Sequence, residues 1–264
     1  MTSITGLNNH ITRSTHGMPN GYSLLAYEEI GSTNTEAMSL ARDNSEDHLW
    51  LWTLKQTQGK GRNGRIWESR QGNLHASLIL QLNCEVNTVA QLSLLAGVAA
   101  YDALALLCDS SVVNQIRLKW PNDLLLDGAK IGGILLESTK QADQKTVSVV
   151  LGTGMNLAYH PELDDKKTTN LSMYKQEIEP RQALESLAKA TADWLKIWDL
   201  GKNFDQIREA WTLRGQKIGS PIKVNSGREI IHGHFAGLNE TGGMILQLST
   251  GAYKDVHFGD VILG

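Results

Sequence analysis

Cysteine is nearly absent from this sequence, and positive charge is not in excess. The 264 residues include two cysteines, Cys84 and Cys108, too few for a disulfide framework and outside any spacing typical of a metal site. A reducing, cytoplasmic setting is therefore expected. The 25 lysines and arginines are outnumbered by 28 acidic residues, giving a net charge of −3, which argues against a general nucleic-acid-binding protein.

Long hydrophobic runs are also missing. The longest, residues 94–101, is far shorter than the roughly 20 residues that cross a bilayer. Residues 1–21 lack the continuous apolar stretch of a signal peptide. We therefore expect no targeting or membrane segment, and we interpret residues 1–21 as a flexible N-terminal tail.

The composition is that of a soluble globular protein, with 41% hydrophobic and 20% charged residues. Alternating apolar and mostly polar positions over residues 74–82 predict a half-buried strand, and Asp127-Gly128 predicts a hairpin turn. Hydrophobic periodicity further predicts strands over residues 22–30, 49–55, 116–118, 124–126, 130–137 and 147–151, and helices after Asn34 and over residues 89–106, 181–198 and 203–214.

The pattern changes near residues 215–217. Before this point, strands outnumber helices and do not alternate with them regularly, which favours an α+β fold with a mixed sheet. After it, short strands separated by glycine turns indicate a small all-β barrel. We expect a domain over residues 22–215 and a second over residues 216–264.

Residues 59–67, here called the glycine–arginine loop, read Gly-Lys-Gly-Arg-Asn-Gly-Arg-Ile-Trp. A dinucleotide-binding loop is excluded because no helical period follows, and a P-loop because Arg65 and Ile66 stand where Lys and Ser or Thr are required. The further motifs of a protein kinase are missing. Glycines that allow close backbone approach, beside three cations, favour a site for a small anionic ligand. The alternative is a flexible, solvated basic turn, with Trp67 in the core.

A second candidate segment is Lys119-Trp120-Pro121-Asn122-Asp123, at the end of a predicted strand. Its lysine is either a cation positioned by a Trp-Pro corner or a surface residue of a turn. Glycines within predicted strands, Gly132-Gly133 and Gly152-Thr153-Gly154, indicate bulges or the close approach of a ligand or another backbone.

Together these features resemble the biotin-protein ligases over roughly residues 22–264, in the family's order. The resemblance implies a catalytic domain of the biotin/lipoate ligase type followed by an SH3-like barrel. It also implies that biotin and MgATP form biotinyl-5′-AMP, from which biotin passes to a lysine of a biotin carboxyl carrier protein. It rests on Ser32-Thr33-Asn34, Gln56, the glycine–arginine loop, and residues 119–123, 130–135 and 152–156.

The resemblance assigns roles to individual residues. Lys119 and Arg62 would act in catalysis, and no metal ligand is identified. The biotin site would contain Ser32, Thr33, Asn34, Gln56, Lys60, Gly61, Arg62, Lys119, Gly132 and Gly133. The site for ATP and the adenylate would contain Arg62, Asn63, Arg65, Trp67, Lys119, Asn122, Lys130 and Asn156. No protein nucleophile is required, so we interpret both cysteines as ordinary buried thiols.

The sequence departs from the family's pattern at two positions that affect nucleotide binding. Many bacterial relatives carry Arg at the positions of Lys60 and Asn63. Repressor members of the family carry an N-terminal helix-turn-helix domain, whereas about 31 residues precede Ser32, so we expect no operator binding. A homodimer is possible. The alternatives are a lipoate-protein ligase of similar fold and, from another class, a nucleotide- or nucleic-acid-binding module.

Overall fold

The computed structural model describes residues 12–42, 46–141, 145–164, 166–227 and 229–263. Eight strands form one mixed sheet in the order β1-β2-β3-β4-β8-β7-β6-β5. The β2–β3 pair is parallel, and the other neighbours are antiparallel. The strands are β1 (Thr12–Ser14), β2 (Ser23–Ile30), β3 (Leu49–Gln56), β4 (Leu74–Leu82), β5 (Ile116–Lys119), β6 (Asp123–Leu126), β7 (Ala129–Lys140) and β8 (Val147–Met155).

Helices cover both faces of this sheet. On one face α1 packs on β3, β4, β7 and β8, while α3 and α5 pack on the other. At the start of α5 the side chain of Glu179 and that of Gln182 cap each other's backbone, and Pro180 occupies the first turn. The helices are α1 (Thr33–Arg42), α2 (Val86–Val89), α3 (Gln91–Ala105), α4 (Ser110–Val113), α5 (Pro180–Trp198) and α6 (Phe204–Arg214).

Strand β4 differs from the half-buried strand that its alternation predicts. All its residues except Gln81 are buried. Leu78 and Leu80 face the core under α3 and α5, whereas Ile79 packs against α1. The polar positions face α1 instead of solvent, and Ser77 is accommodated because its hydroxyl lies within hydrogen-bonding distance of side chains at the start of α1.

The expectation of a flexible tail over residues 1–21 is wrong for part of that range. Thr12–Ser14 forms an edge strand that pairs antiparallel with β2. Residues 1–11 lie outside the described residues. The predicted hairpin is confirmed, since Asp127 and Gly128 join β6 to β7 with φ angles of 50° and 75°.

The segment Val86–Ala105 alone among the described stretches is long and apolar enough, by length and composition, to cross a membrane. The sequence analysis predicted no such segment, because every continuous apolar run is too short to cross a membrane. Of the tested window, 61% is buried within the protein. Its α3 part packs against α5, α6 and the sheet, which is the environment of a core helix.

After α6, five strands form a separate antiparallel sheet in the order β12-β11-β10-β9-β13. This is the small all-β unit that the spacing of turns predicts, and the proposed boundary at residues 215–217 falls between α6 and its first strand. Phe235 in its core lies 6.2 Å from Trp211 of α6, ring centre to ring centre. The strands are β9 (Pro221–Asn225), β10 (Ile230–Leu238), β11 (Met244–Gln247), β12 (Tyr253–Val256) and β13 (Asp260–Leu263).

Candidate functional site

Most of the residues singled out from the sequence line one pocket. It lies between the start of α1, the glycine–arginine loop and the glycine-containing ends of β7 and β8. The predicted residues that line it are Ser32, Thr33, Asn34, Gln56, Lys60, Gly61, Arg62, Arg65, Trp67, Asn122, Lys130, Gly133 and Asn156.

Three predicted residues do not line this pocket. Asn63 is exposed at a φ of 57°, in the left-handed region that asparagine tolerates. A Cβ at Gly132 would lie 2.9 Å from the carbonyl oxygen of Gly154, so this glycine permits close strand packing. The Lys119 Nζ lies 3.1 Å from Asp123 Oδ2 and donates to the Val261 carbonyl at 3.3 Å.

Four side chains, Thr33, Asn34, Gln56 and Ser77, form a polar cluster at one end of the pocket. The backbone N–H and the hydroxyl of Thr33 both donate to Gln56 Oε1, at 2.8 and 3.1 Å. The Ser77 hydroxyl lies 2.8 Å from Thr33 Oγ1 and 2.6 Å from Asn34 Oδ1. Thr33 and Asn34 are almost fully buried, so these partners satisfy groups that water barely reaches.

Gly152 makes room for this cluster. A Cβ at this position would lie 2.0 Å from Asn34 Oδ1. The Asn34 amide also donates to Glu137 Oε2 at 2.9 Å, which anchors it to β7. Gly152 thus permits a close approach, but of the Asn34 side chain and not of the ligand or second backbone that glycines in β8 predict, and this contact fixes the start of α1 against the sheet.

The glycine–arginine loop is closed by its own backbone. The Gly61 N–H donates to the Arg65 carbonyl at 2.8 Å, and the Trp67 N–H donates to the Gly59 carbonyl at 3.0 Å. Arg62 donates to Asn122 Oδ1 at 2.9 Å, and Arg65 forms an ion pair with Asp260 of the C-terminal sheet. The loop is therefore an ordered structure that directs guanidinium groups to the pocket, in contrast to the flexible turn that was its alternative.

Asp123 is a buried carboxylate between two lysines. Its Oδ1 accepts a hydrogen bond from Lys130 Nζ, and its Oδ2 faces Lys119 Nζ. Burial alone would raise the pKa of Asp123, but the charges of Lys130 and Lys119 and their hydrogen bonds outweigh burial and lower the pKa below its usual value. The carboxylate therefore stays ionised and pairs with Lys130, which lines the pocket, and with Lys119, which does not.

Trp67 forms an aromatic wall. Its ring lies over Gly154, where a Cβ would come within 2.5 Å of ring carbons. Lys130 Nζ is 5.6 Å from the centre of this ring. The indole is half-buried and lines the pocket, which suits shielding a reactive intermediate from water.

Several pocket residues were missed by sequence reasoning. Asp123 lies inside a segment already singled out, and its spacing of four from Lys119 could have indicated a pair. His75 lies on β4, where alternation suggested a solvent face. Asp260 forms an ion pair with Arg65, which is 195 residues away in the sequence. No local sequence pattern predicts such a contact. Further lining residues without a predicted role are Glu68, Thr153, Lys166 and Thr168.

The described residues contain no group of three or more histidines, cysteines or acidic side chains that could hold a metal ion. Mg²⁺ commonly keeps several waters and uses one or two carboxylates together with substrate phosphates. Asp123 is already paired with two lysines. With its charge already compensated by these lysines, Asp123 does not fit the role of a metal ligand among the described residues of the pocket.

Cys84 and Cys108 lie outside the pocket and are partly buried. Burial raises the pKa of both thiols, that of Cys108 to about 11, with a smaller effect from the neighbouring acid in each case. Both are therefore protonated at neutral pH, as expected of ordinary thiols.

Two family models match the chain. Residues 27–156 match the biotin/lipoate A/B protein ligase family, and residues 217–264 match the biotin protein ligase C-terminal domain. Among curated proteins, the chain is 36% identical over 222 residues to a biotin--[acetyl-CoA-carboxylase] ligase of Paracoccus denitrificans, covering 82% of this chain and 90% of that protein. It is 30% identical to the Mycobacterium tuberculosis ligase of the same name over 242 residues, covering 89% of this chain and 86% of that one.

Among solved structures, a biotin protein ligase from Aquifex aeolicus in complex with biotin and ATP superposes with a TM-score of 0.74. The two chains are 26% identical, and the match covers 91% of this chain and 98% of that one. The similarity thus extends over both sheets.

Proposed function

The chain belongs to the biotin protein ligase family, and from that premise we propose that it attaches biotin to a lysine of the biotin carboxyl carrier protein of acetyl-CoA carboxylase. Biotin and ATP are its substrates. The biotin carboxylate attacks the α-phosphorus of ATP, giving biotinyl-5′-AMP and pyrophosphate. The acceptor amine then attacks the acyl carbon, forms an amide and releases AMP.

The observation that carries this proposal is the pairing of a buried polar cluster with a cationic loop in one pocket. Thr33, Asn34 and Gln56 line the pocket and offer hydroxyl and amide groups suited to the ureido ring of biotin, with Ser77 supporting Thr33 and Asn34 from behind. Arg62 and Lys130 also line the pocket, and we assign them to the reacting carboxylate and the phosphates. Asn156 and Trp67 line the remaining wall, which we assign to the nucleotide.

The cations matter because the two substrates repel each other. At an effective dielectric of about 20, a unit pair of like charges about 4 Å apart interacts by about 4 kcal/mol. Arg62, held by Asn122, presents a fixed guanidinium that offsets this repulsion without reorganising during the reaction. Mg²⁺, carried in on the phosphates, would supply further neutralisation.

We assign Lys119 to the reacting carboxylate and the α-phosphate. In the structure its ammonium group faces Asp123 and Val261, one layer behind the pocket. For Lys119 to take this role, its ammonium group must turn from Asp123 toward the ligand. An anionic substrate would then provide a carboxylate or phosphate group as its new partner. Lys130 lines the pocket directly and is the nearer cation.

The lipoate alternative is disfavoured by the polar cluster. A dithiolane ring offers no hydrogen-bond donor, so it would lie against these polar side chains without forming the hydrogen bonds that a ureido ring can form. The ordered loop with Trp67 also differs from the apolar slot that a lipoyl tail requires.

The two protonated thiols suit a reducing compartment, so we place the reaction in the cytoplasm. A homodimer stays a prediction, which sedimentation of the purified chain would test.

The deciding experiment is exchange of radiolabelled pyrophosphate into ATP. We expect exchange that depends on biotin and is not supported by lipoate, followed by biotinylation of a purified carrier domain. Exchange driven by lipoate and not by biotin would overturn the proposal.

A further inference from the structure

One pocket residue has an unusual environment that the reaction scheme does not explain. His75 lies on β4, on the face toward α1, and only 1% of its surface is exposed. Its imidazole lines the same pocket as the polar cluster. Its Nε2 lies 3.3 Å from the carbonyl oxygen of Arg70.

This contact defines the hydrogen-bonding character of the ring. A carbonyl only accepts, so Nε2 carries the proton and Nδ1 is left with a lone pair. Burial lowers the pKa of His75 to about 4, despite the opposing hydrogen bond with Arg70, so the ring is neutral at pH 7. The Nδ1 atom is buried and has no hydrogen-bond partner among the described residues.

The position of His75 on its strand identifies the region of the ligand that it faces. Ser77 follows two residues later, on the same face of β4, and its hydroxyl contacts Thr33 and Asn34 of the polar cluster. On the neighbouring strand, Gly154 is paired with His75 and lies under the Trp67 ring. His75 therefore lies between the polar cluster and the aromatic wall.

We propose that His75 is a specificity-determining residue whose Nδ1 accepts a hydrogen bond from a ureido N–H of biotin. This inference rests on the proposed function. A buried acceptor requires a donor, and the ureido ring carries two N–H groups, whereas the dithiolane of lipoate carries none. The contact therefore selects a cyclic urea over a sulfur-only ring, because the wrong ligand leaves Nδ1 unpaired.

The first test separates binding of biotin from binding of ATP. In His75→Phe, which keeps an aromatic ring and removes the acceptor, we expect the KM for biotin in pyrophosphate exchange to rise about 10-fold. The KM for ATP should change less than about two-fold, with kcat nearly unchanged. His75→Gln, which restores an acceptor, should recover part of the loss. A rise in the KM for ATP alone would instead assign the contact to adenine and overturn the proposal.

Ligand analogues test the same bond from the other side. Desthiobiotin keeps both ureido N–H groups, so His75→Phe should weaken it as much as biotin. Biotin methylated at the contacting ureido nitrogen should bind the wild-type protein more weakly, and the substitution should then add little further loss. Independent effects of methylation and substitution would contradict a direct bond.

A spectroscopic test needs no active variant. In the wild-type protein labelled with ¹⁵N-histidine, the Nδ1 resonance of His75 should move upfield when biotin binds and stay unchanged with ATP alone. If biotin supports exchange but neither the resonance nor the KM for biotin responds, the role of His75 is refuted and the ligase function stands. If biotin supports no exchange at all, both proposals fail.

Discussion

The buried imidazole of His75 makes the stability of the protein depend on pH. Burial lowers its pKa from the usual 6.5 to about 4 in the folded state. Below pH 6.5 the unfolded chain binds a proton that the folded chain does not, so stability falls as the pH decreases toward 4. This change in pKa corresponds to about 3 kcal/mol of folding stability.

Urea unfolding of the wild-type protein and of His75→Phe checks this expectation. Between pH 7 and pH 4 the free energy of unfolding of the wild type should fall by about 3 kcal/mol more than that of the variant. Only the wild type has to keep His75 neutral in its folded state. Equal losses in the two proteins would show that His75 titrates normally in the folded state.

Gly154 permits the contact between Trp67 and the sheet. A Cβ there would lie 2.5 Å from ring carbons of Trp67, so Gly154→Ala must displace the indole. We expect a loss of about 1–3 kcal/mol in stability from overpacking, together with weaker binding of ATP. Tryptophan fluorescence and the KM for ATP are the measurements.

Gly31→Ala is the matched control for this substitution. A Cβ at Gly31 would meet no heavy atom within 4 Å beyond its chain neighbours, and Gly31 does not line the pocket. The stability and kinetics of this variant should stay close to those of the wild type. A Gly154→Ala protein with unchanged fluorescence and kinetics would mean that the position of Trp67 is unimportant.

At the scale of elements, Asp123 ties three strands together at one corner of the sheet. It begins β6 and pairs with Lys119 of β5 and Lys130 of β7. Removing the carboxylate leaves two largely buried lysines without their partner, so Asp123→Asn should destabilise the protein by about 3 kcal/mol at pH 7. Because the pKa of Asp123 is lowered by folding, the stabilisation is present above the unfolded value of about 4 and lost as the pH falls below it.

Denaturant unfolding at pH 7 and pH 3 measures this difference. The difference in the free energy of unfolding between the wild type and Asp123→Asn should be smaller at pH 3 than at pH 7. Asp127→Asn is the control, because Asp127 is exposed in the adjacent hairpin turn and asparagine tolerates its positive φ. It should change stability by less than about 0.5 kcal/mol. An equal difference in the free energy of unfolding at both pH values would argue against a charged Asp123.

The elements themselves were largely predictable from local patterns. The period of apolar residues located α5, and Asp127-Gly128 located a hairpin, because both depend on residues close in sequence. The surroundings of β4 were not predictable in this way. Whether its polar positions meet water or α1 depends on where a helix from elsewhere in the chain packs, and periodicity does not contain that information.

The candidate site was likewise predictable where it depends on local sequence and not where it depends on distant parts of the chain. The segments that form its walls could be singled out by their glycines and cations, and most of those residues line one pocket. The position of Lys119 behind Asp123 was not predictable, since it results from a β5–β6–β7 corner and from the Val261 carbonyl far along the chain. His75 was missed because its strand suggested exposure.

At the scale of the whole molecule, the C-terminal sheet contacts the larger domain through polar groups at and beside the pocket. The Trp120 indole donates to the Gly242 carbonyl at 3.0 Å, and Lys119 donates to Val261 at 3.3 Å. Asp260 lines the pocket and pairs with Arg65 of the glycine–arginine loop. The C-terminal sheet therefore contributes a negative charge to the pocket that we propose binds ATP.

This arrangement predicts how Asp260 affects nucleotide binding. The hydrogen bond from Arg65 keeps the pKa of Asp260 below its usual value, so the carboxylate is charged at pH 7 and competes with phosphate for Arg65. Asp260→Asn removes that charge at similar size, and we expect the KM for ATP to fall about two- to five-fold while the KM for biotin changes little. Both partners are partly exposed, so the loss of stability should stay below about 1 kcal/mol. Asp255→Asn, on the same sheet but outside the pocket, should leave both KM values unchanged. A higher KM for ATP in Asp260→Asn would mean that the carboxylate positions Arg65 for the phosphates instead of competing with them.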